Sequence, residues 1–192
     1  DVDINAKYGE IAGKEMSTEL DRRIFAAKVG TAAAENRGIT AGAISGDLNL
    51  GAAGTPVSVD VNSAIDLLLD ASLALDEQNI DRTGRWAAVP AWFYQLLKKG
   101  DLKRVDITGD GTSPLRNGEV GMIDQLRIHV TNQLPVSGAE TSIFVGTNEA
   151  VSFAGQVLPH TMETFPDPNR FGKLGRGMNV YGQKTTEPVA LV

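Results

Sequence analysis

From Ile4 to Ile24 an apolar residue returns at every fourth position: Ile4, Tyr8, Ala12, Met16, Leu20 and Ile24. Ile11, Phe25 and Ala27 widen the stripe, and no period-two alternation competes with it. The spacing predicts one long amphipathic helix over residues 1–34. At 1.5 Å per residue, roughly 30 residues make a rod about 45 Å long, beyond most globular helices. Gly9 and Gly13 lie within it. Each weakens a helix by about 1 kcal/mol relative to alanine, so packing has to hold that half in place.

The next stretch, Gly38 to Val59, is rich in glycine and small residues and has no helical period, which predicts a connector between two folded parts. Asp60 or Asn62 then caps a helix running to about Asp76, with Ile65, Leu68, Leu69, Leu73 and Leu75 on or near its buried side. "DRTG" reads as a turn and "RWAAV" as a short buried strand. Pro90 opens a helix through Trp92, Phe93, Leu96 and Leu97 that Lys98, Lys99 and Gly100 are expected to end. After a loop rich in glycine and aspartate, "VGMIDQLRIHVTNQLP" and "TSIFVG" read as strands, and "NEAVSFAGQVL" as a short helix capped by Asn148. "HTMETF" and "MNVYGQKTTEPVALV" are strand-like runs around an irregular loop, "PDPNRFGKLGRG". The pattern is α+β, with short loops pointing to antiparallel strands.

Composition narrows the function. The chain has 192 residues, no cysteine and a formal net charge of −6. Without thiols there is no disulfide framework, thiolate zinc site or cysteine nucleophile. A net negative chain without a basic stripe interleaved with aromatics is not built for specific nucleic-acid recognition. No apolar run reaches membrane-span length, and Asp1, Val2 and Asp3 lack the basic start of a signal peptide, so the expectation is a soluble intracellular chain with no membrane partner. The first residue is aspartate rather than an initiator methionine, which predicts a missing upstream segment.

Candidate chemistry is thin. Asp106, Thr108, Asp110 and Gly111 fall at positions one, three, five and six of a calcium loop, but position twelve is Asn117, Glu119 arrives two residues late and Pro114 interrupts. A solvated loop over 106–119 is the better reading. "GEIAGKE" has one residue too few between its glycines for a phosphate loop, and Ala43 stands where a nucleophile elbow around Ser45 needs glycine. "GKLGRG" does not match a dinucleotide fingerprint. His129 and His160 lack a nameable third partner for a metal site or a triad, and Asp76 with Glu77 reads as a solvated helix end. Trp86, Trp92, Phe93 and Tyr94 read as core. No catalytic, cofactor-binding or metal residue is assigned. A well-ordered chain without a reactive site is expected to bind or to build.

Three strings in order, "LDEQNIDRTGRWAAVPAWFYQLL", "NGEVGMIDQLRIHVTNQLP" and "VYGQKTTEPVAL", resemble the major capsid proteins of tailed bacteriophages with the Hong Kong 97 type of shell fold. The match runs through Asp76, Glu77, Asn79, Gly84, Arg85, Pro90, Tyr94 and Leu97, then Gly118, Gly121, Ile123, Asn132 and Pro135, then Tyr181, Gly182, Lys184 and Pro188. Two departures stand out: Gln125-Leu126 replaces a usual Gly-Phe pair, and Ile80-Asp81 a frequent Val-Pro.

The resemblance implies a spine helix at the start of the chain, with the family's N-terminal arm and extended loop absent before it. It implies a peripheral domain of residues 1–57 and 147–187 and an axial domain of 58–146 and 188–192, mostly antiparallel in their sheets. The loop from Phe165 to Gly177 would meet neighbouring subunits, with Asp167, Arg170, Lys173 and Arg176 as interface candidates. The implied function is a self-assembling shell protein and not an enzyme. It would be located in the virion after assembly in the host cytoplasm. Its partners would be copies of itself in hexamers and pentamers, with scaffolding, portal or decoration proteins besides. Two alternatives are an encapsulin-like nanocompartment shell and a hydrolase or calcium-dependent enzyme using the 106–119 loop.

Overall fold

The computed structural model describes residues 4–108, 122–156, 162–166, 173–178 and 180–192. Helix α1 spans Ile4–Ala26 and stops short of the predicted end. Lys28 N–H bonds to Phe25 O and Thr31 N–H to Lys28 O, closing tight turns, and Gly30 takes φ +72°. A right-handed helix cannot pass through that conformation. A single 3-10 turn follows at Ala34–Asn36.

The expected connector is structured. Its chain folds back on itself through bridges Gly38↔Gly51, Ala41↔Leu48 and Ala52↔Thr55, and buries Ala41 and Leu48 against Ala74. Two buried residues seven apart leave no period to read in sequence, which is why composition suggested a linker.

Helix α2, Ser63–Glu77, has both ends satisfied. Asp60 Oδ1 accepts the Asn62 and Ser63 N–H groups at 2.8 Å each, while Ser63 Oγ accepts Asp60 N–H at 2.8 Å, a reciprocal cap. At the far end Asn79 N–H bonds to Asp76 O (2.9 Å) and Ile80 N–H to Leu75 O (3.1 Å), with Asn79 at φ +58°. This pair of bonds around a left-handed residue is the Schellman ending. Ala64, Ile65, Leu68, Ala71 and Leu75 face the core, whereas Leu69 and Leu73, expected on that side, point outward. At 100° per residue, Leu73 falls opposite the Ala64–Leu68–Ala71–Leu75 stripe and Leu69 on its far flank, with Ile65 at the stripe's edge.

Strand β1 (Trp86–Val89) leads through Pro90 into α3 (Ala91–Thr108), which runs past Lys98–Gly100 rather than ending there. Gly100 has a packing role instead: a Cβ would sit 2.7 Å from Val61 O, so only glycine lets the approach to α2 lie this close. Strands β2 (Met122–Ile123), β3 (Leu126–Val130), β4 (Val136–Ser137), β5 (Glu140–Thr141) and β6 (Phe144–Gly146) follow. The main sheet has order β2-β3-β1-β6. Its β2–β3 and β1–β6 pairs are antiparallel, but β1 and β3 run parallel, Trp86 opposite Arg127 and Val89 opposite Val130. A parallel pair needs a long crossover. The extended α3 supplies it, and among the described residues the sheets are mostly antiparallel, as expected, with β1–β3 the parallel exception.

One face of this sheet, Ala87, Val89, Leu126 and Val145, packs under α2 and under Phe93 and Leu97 of α3. On the other face Ala88 and Phe144 pack with Leu134, Ala150, Ala190 and Leu191. Phe25 at the end of α1 stacks on Phe144 with ring centroids 5.7 Å apart. The final residue joins the sheet edge, Val192 exchanging both backbone bonds with Val145. Fully burying a side chain such as Leu68 or Phe93 contributes about 1.5–3 kcal/mol.

The segment predicted as a helix after Asn148 is strand β7, Val151–Gln156. It pairs antiparallel with β10, Val180–Thr185, over six residues. Non-local pairing overrides the local cap signal here, since Val151 and Phe153 sit on one face of a ribbon. Strands β8 (Met162–Pro166) and β9 (Lys173–Gly177) form a second antiparallel pair, so much of the expected irregular loop is extended backbone.

Candidate functional site

The most elaborate polar arrangement is structural. Arg85, whose side chain is wholly buried, spends its guanidinium donors on five acceptors: Asp81 O (3.1 Å), Ser72 O (3.3 Å), Ser72 Oγ (3.1 Å), Asp76 Oδ1 (2.7 Å) and Ile80 O (2.6 Å). Ser72 Oγ in turn donates to Asp124 Oδ2 at 2.7 Å. One side chain thus holds the end of α2, the turn before β1 and the β2–β3 hairpin together. Asp76 also pairs with Arg82. Burial pushes the Asp76 carboxyl upward, but the hydrogen bonds and charges of Arg82 and Arg85 outweigh it, and its pKa lies below the ordinary value. The Asp76–Glu77 pair is therefore not a solvated helix end. Asp76 faces inward, while Glu77 Oε2 accepts the Ile44 (2.8 Å) and Ser45 (3.2 Å) N–H groups, which hold its carboxyl below the usual range.

The β2–β3 hairpin turns on Asp124 (φ +45°) and Gln125 (φ +64°). Two-residue turns of this kind match strand twist but favour Asn-Gly. The Ser72–Asp124 bond holds the less favourable pair in place. A second buried clamp is Asn36, whose Nδ2 donates to Val189 O (2.6 Å) and Leu191 O (3.0 Å), fastening the C-terminal segment. Neither Arg85 nor Asn36 carries a sequence signal of burial beyond the Gly-Arg pair. Lys28 is also buried, its Nζ 3.4 Å from Thr185 Oγ1, and burial lowers its pKa.

The open surfaces carry the rest. Beside the second cluster, the β2–β3 half of the sheet is uncovered and forms a cleft of ≈ 280 Å³ lined by Arg85, Trp86, Met122, Gln125, Arg127 and His129, among others. Trp86 is half-buried at its wall and Trp92 is 47% exposed, so the aromatic cluster is only partly core. On α1 the apolar stripe remains open: Tyr8 is 68% exposed, and Ile11 and Met16 are exposed too.

His129 lies on β3 at the cleft, whereas His160 lies outside the described residues. Asp106 and Thr108 belong to the last turn of α3, which puts helix where a calcium hand needs loop backbone; Asp110 and Glu119 lie outside the described residues. Among the described residues, no group of three or more His, Asp or Glu is placed to hold a metal ion, and no helix is long and apolar enough to cross a membrane. Lys173 and Arg176 are in β9, opposite Pro166 and Glu163. Asp167 and Arg170 lie outside the described residues.

Two solved structures share this architecture. One, from Mycobacterium phage Che8, is 23% identical with a TM-score of 0.73 and covers 96% of this chain and 60% of that one. The other, the capsid structure of the cyanophage P-SCSP1u, is 18% identical with a TM-score of 0.67 and covers 100% of this chain and 65% of that one. The chain thus spans less than two thirds of either. No curated protein matches it. The sequence itself matches the family described as phage capsid protein over residues 3–192. An α+β chain that shares its architecture with a phage capsid and matches this family along nearly its whole length belongs to the phage capsid protein family.

Proposed function

We propose that this chain is the wall-forming part of a tailed-phage major capsid protein of the Hong Kong 97 type, acting by assembly and not by catalysis. The observation that carries the reading is the family match over residues 3–192. In this reading α1 is the spine helix. Residues 1–57 and 147–187 form the peripheral domain, and 58–146 with 188–192 the axial domain. The stripe that periodicity marks for burial on α1 is exposed at Tyr8, Ile11 and Met16, as expected of a surface that copies of the molecule cover. Partners are further copies in hexamers and pentamers, joined by scaffolding, portal or decoration proteins, and the location is the virion. Lys173 and Arg176 in β9, with Asp167 and Arg170 between β8 and β9 in sequence, contact neighbouring subunits.

The test is negative-stain imaging of the complete gene product. Hollow, uniform particles are expected. A protein that stays monomeric at high concentration overturns the reading. Arg170→Glu with Arg176→Glu should impair particles while leaving the fold intact, and normal particles would remove these residues from the interface.

A further inference from the structure

Two surfaces of the α2–sheet unit have complementary character and face opposite ways. The first is the outer side of α2. Asp66, Leu69, Asp70 and Leu73 follow each other at the three- and four-residue steps that place side chains on one helix face. Leu69 is 40% and Leu73 43% exposed. One turn further on, Glu77 grips the Ile44 and Ser45 N–H groups and so fixes Ile44, 81% exposed, beside the end of this row. The grip depends on a turn in which Gly42 takes φ +102° and Gly46 N–H closes onto Gly42 O at 3.2 Å. The outcome is a rigid apolar row edged by carboxylates. Among the described residues no cation pairs with Asp47, Asp66 or Asp70. The Asp70 carboxyl is pushed up by burial and by the charges of Asp66 and Asp47, so an incoming cation there relieves repulsion.

The second surface is the cleft on the opposite face of the main sheet. Here Arg127 and His129 stand next to Trp86 and the exposed Met122. Neither Arg127 nor His129 forms an ion pair among the described residues. Apolar side chains at the centre with one sign of charge around them match the α2 row in kind and oppose it in charge, the arrangement that sets partner choice and register.

We propose that the outer face of α2 in one copy docks into the Arg127–His129 cleft of the next copy. The proposal rests on the shell reading and names the contact within it. Patches on opposite sides of one rigid unit cannot both face the same neighbour, so a two-fold pair is ruled out. Copies join head to tail, and a head-to-tail contact that closes makes a ring. A ring of this kind is a capsomer.

The test is a charge exchange in the complete gene product. Asp66→Lys with Asp70→Lys, and separately Arg127→Glu, are each expected to lower the yield of assembled particles by at least about tenfold. All three changes together restore particles towards the wild-type yield. Circular dichroism and melting temperature report whether each variant is folded. For any that is not, the neutral changes Asp66→Asn with Asp70→Asn, or Arg127→Gln, are expected to weaken assembly in the same direction. Undiminished assembly of the reversed variants overturns the proposal, and so does a folded triple variant no better than its parents. Wild-type protein that forms no particles overturns the shell reading and this contact together, which tells the two failures apart.

Discussion

Arg85 is the residue on which most of the molecule's polar order converges. Its five bonds reach α2 and the turn before β1, with the β2–β3 hairpin joined through Ser72, and the acceptors would lose their partner together if the guanidinium were removed. Breaking a buried ion pair by deleting one partner costs about 3–5 kcal/mol. Arg85→Ala is therefore expected to lower the denaturant midpoint steeply. Arg85→Lys should recover only part of the loss, because an ammonium cannot reproduce the planar fork. Asp76 adds a pH dependence. Its folded pKa is depressed, so its contribution is complete above the ordinary carboxylate range near pH 4 and is lost as pH falls through the folded value. Denaturation curves of the wild type should weaken on acidification through that window. Asp76→Asn, less stable at neutral pH, should show a shallower acid slope. An identical slope would remove Asp76 from the acid response.

At the scale of elements, two turns rest on residues that pay for a left-handed backbone. Asn79 ends α2 at φ +58° and Gln125 turns the β2–β3 hairpin at φ +64°. A residue with a Cβ loses about 1–2 kcal/mol there, asparagine less than most. Gln125→Gly is expected to raise stability by about 1 kcal/mol, and Asn79→Val to lower it by about as much or more. Thermal melts check both, and a neutral Asn79→Val would mean that the two Schellman bonds do not depend on the conformation. Gln125 thus marks a local strain in the hairpin that the Ser72–Asp124 bond beside it offsets.

At the scale of the whole molecule, folding and association draw on different forces. The two clusters that flank the main sheet are apolar and buried. The contact between α2 and the cleft combines leucines with exposed charges of opposite sign. Raising ionic strength from about 0.1 M to about 1 M shortens the screening length from about 10 Å to about 3 Å. Rings and shells built on that contact should assemble more slowly at high salt, while the melting temperature of the monomer stays nearly constant. Light scattering against salt follows the first quantity and circular dichroism the second. Assembly that accelerates with salt would point to apolar burial alone.

The helix on the first stripe, the helix from Ser63, the strand "RWAAV" and the shell-protein resemblance were legible because periodicity, caps and short ordered motifs are local properties of a chain. The positions that departed from expectation are those where distant groups decide. Val151–Gln156 is a strand because β10 pairs with it, Gly100 stays helical because Val61 packs on it, and β3 runs parallel to β1 because α3 is long enough to cross over. Leu69 and Leu73 look like core by composition, and only the packing of α2 against the sheet turned them to the surface. Local sequence determined which elements this protein has and where most of them begin. Which sides of those elements are buried is a property of the assembled chain, since burial depends on what arrives from elsewhere, and it left α2 and the open half of the sheet exposed with opposite charge.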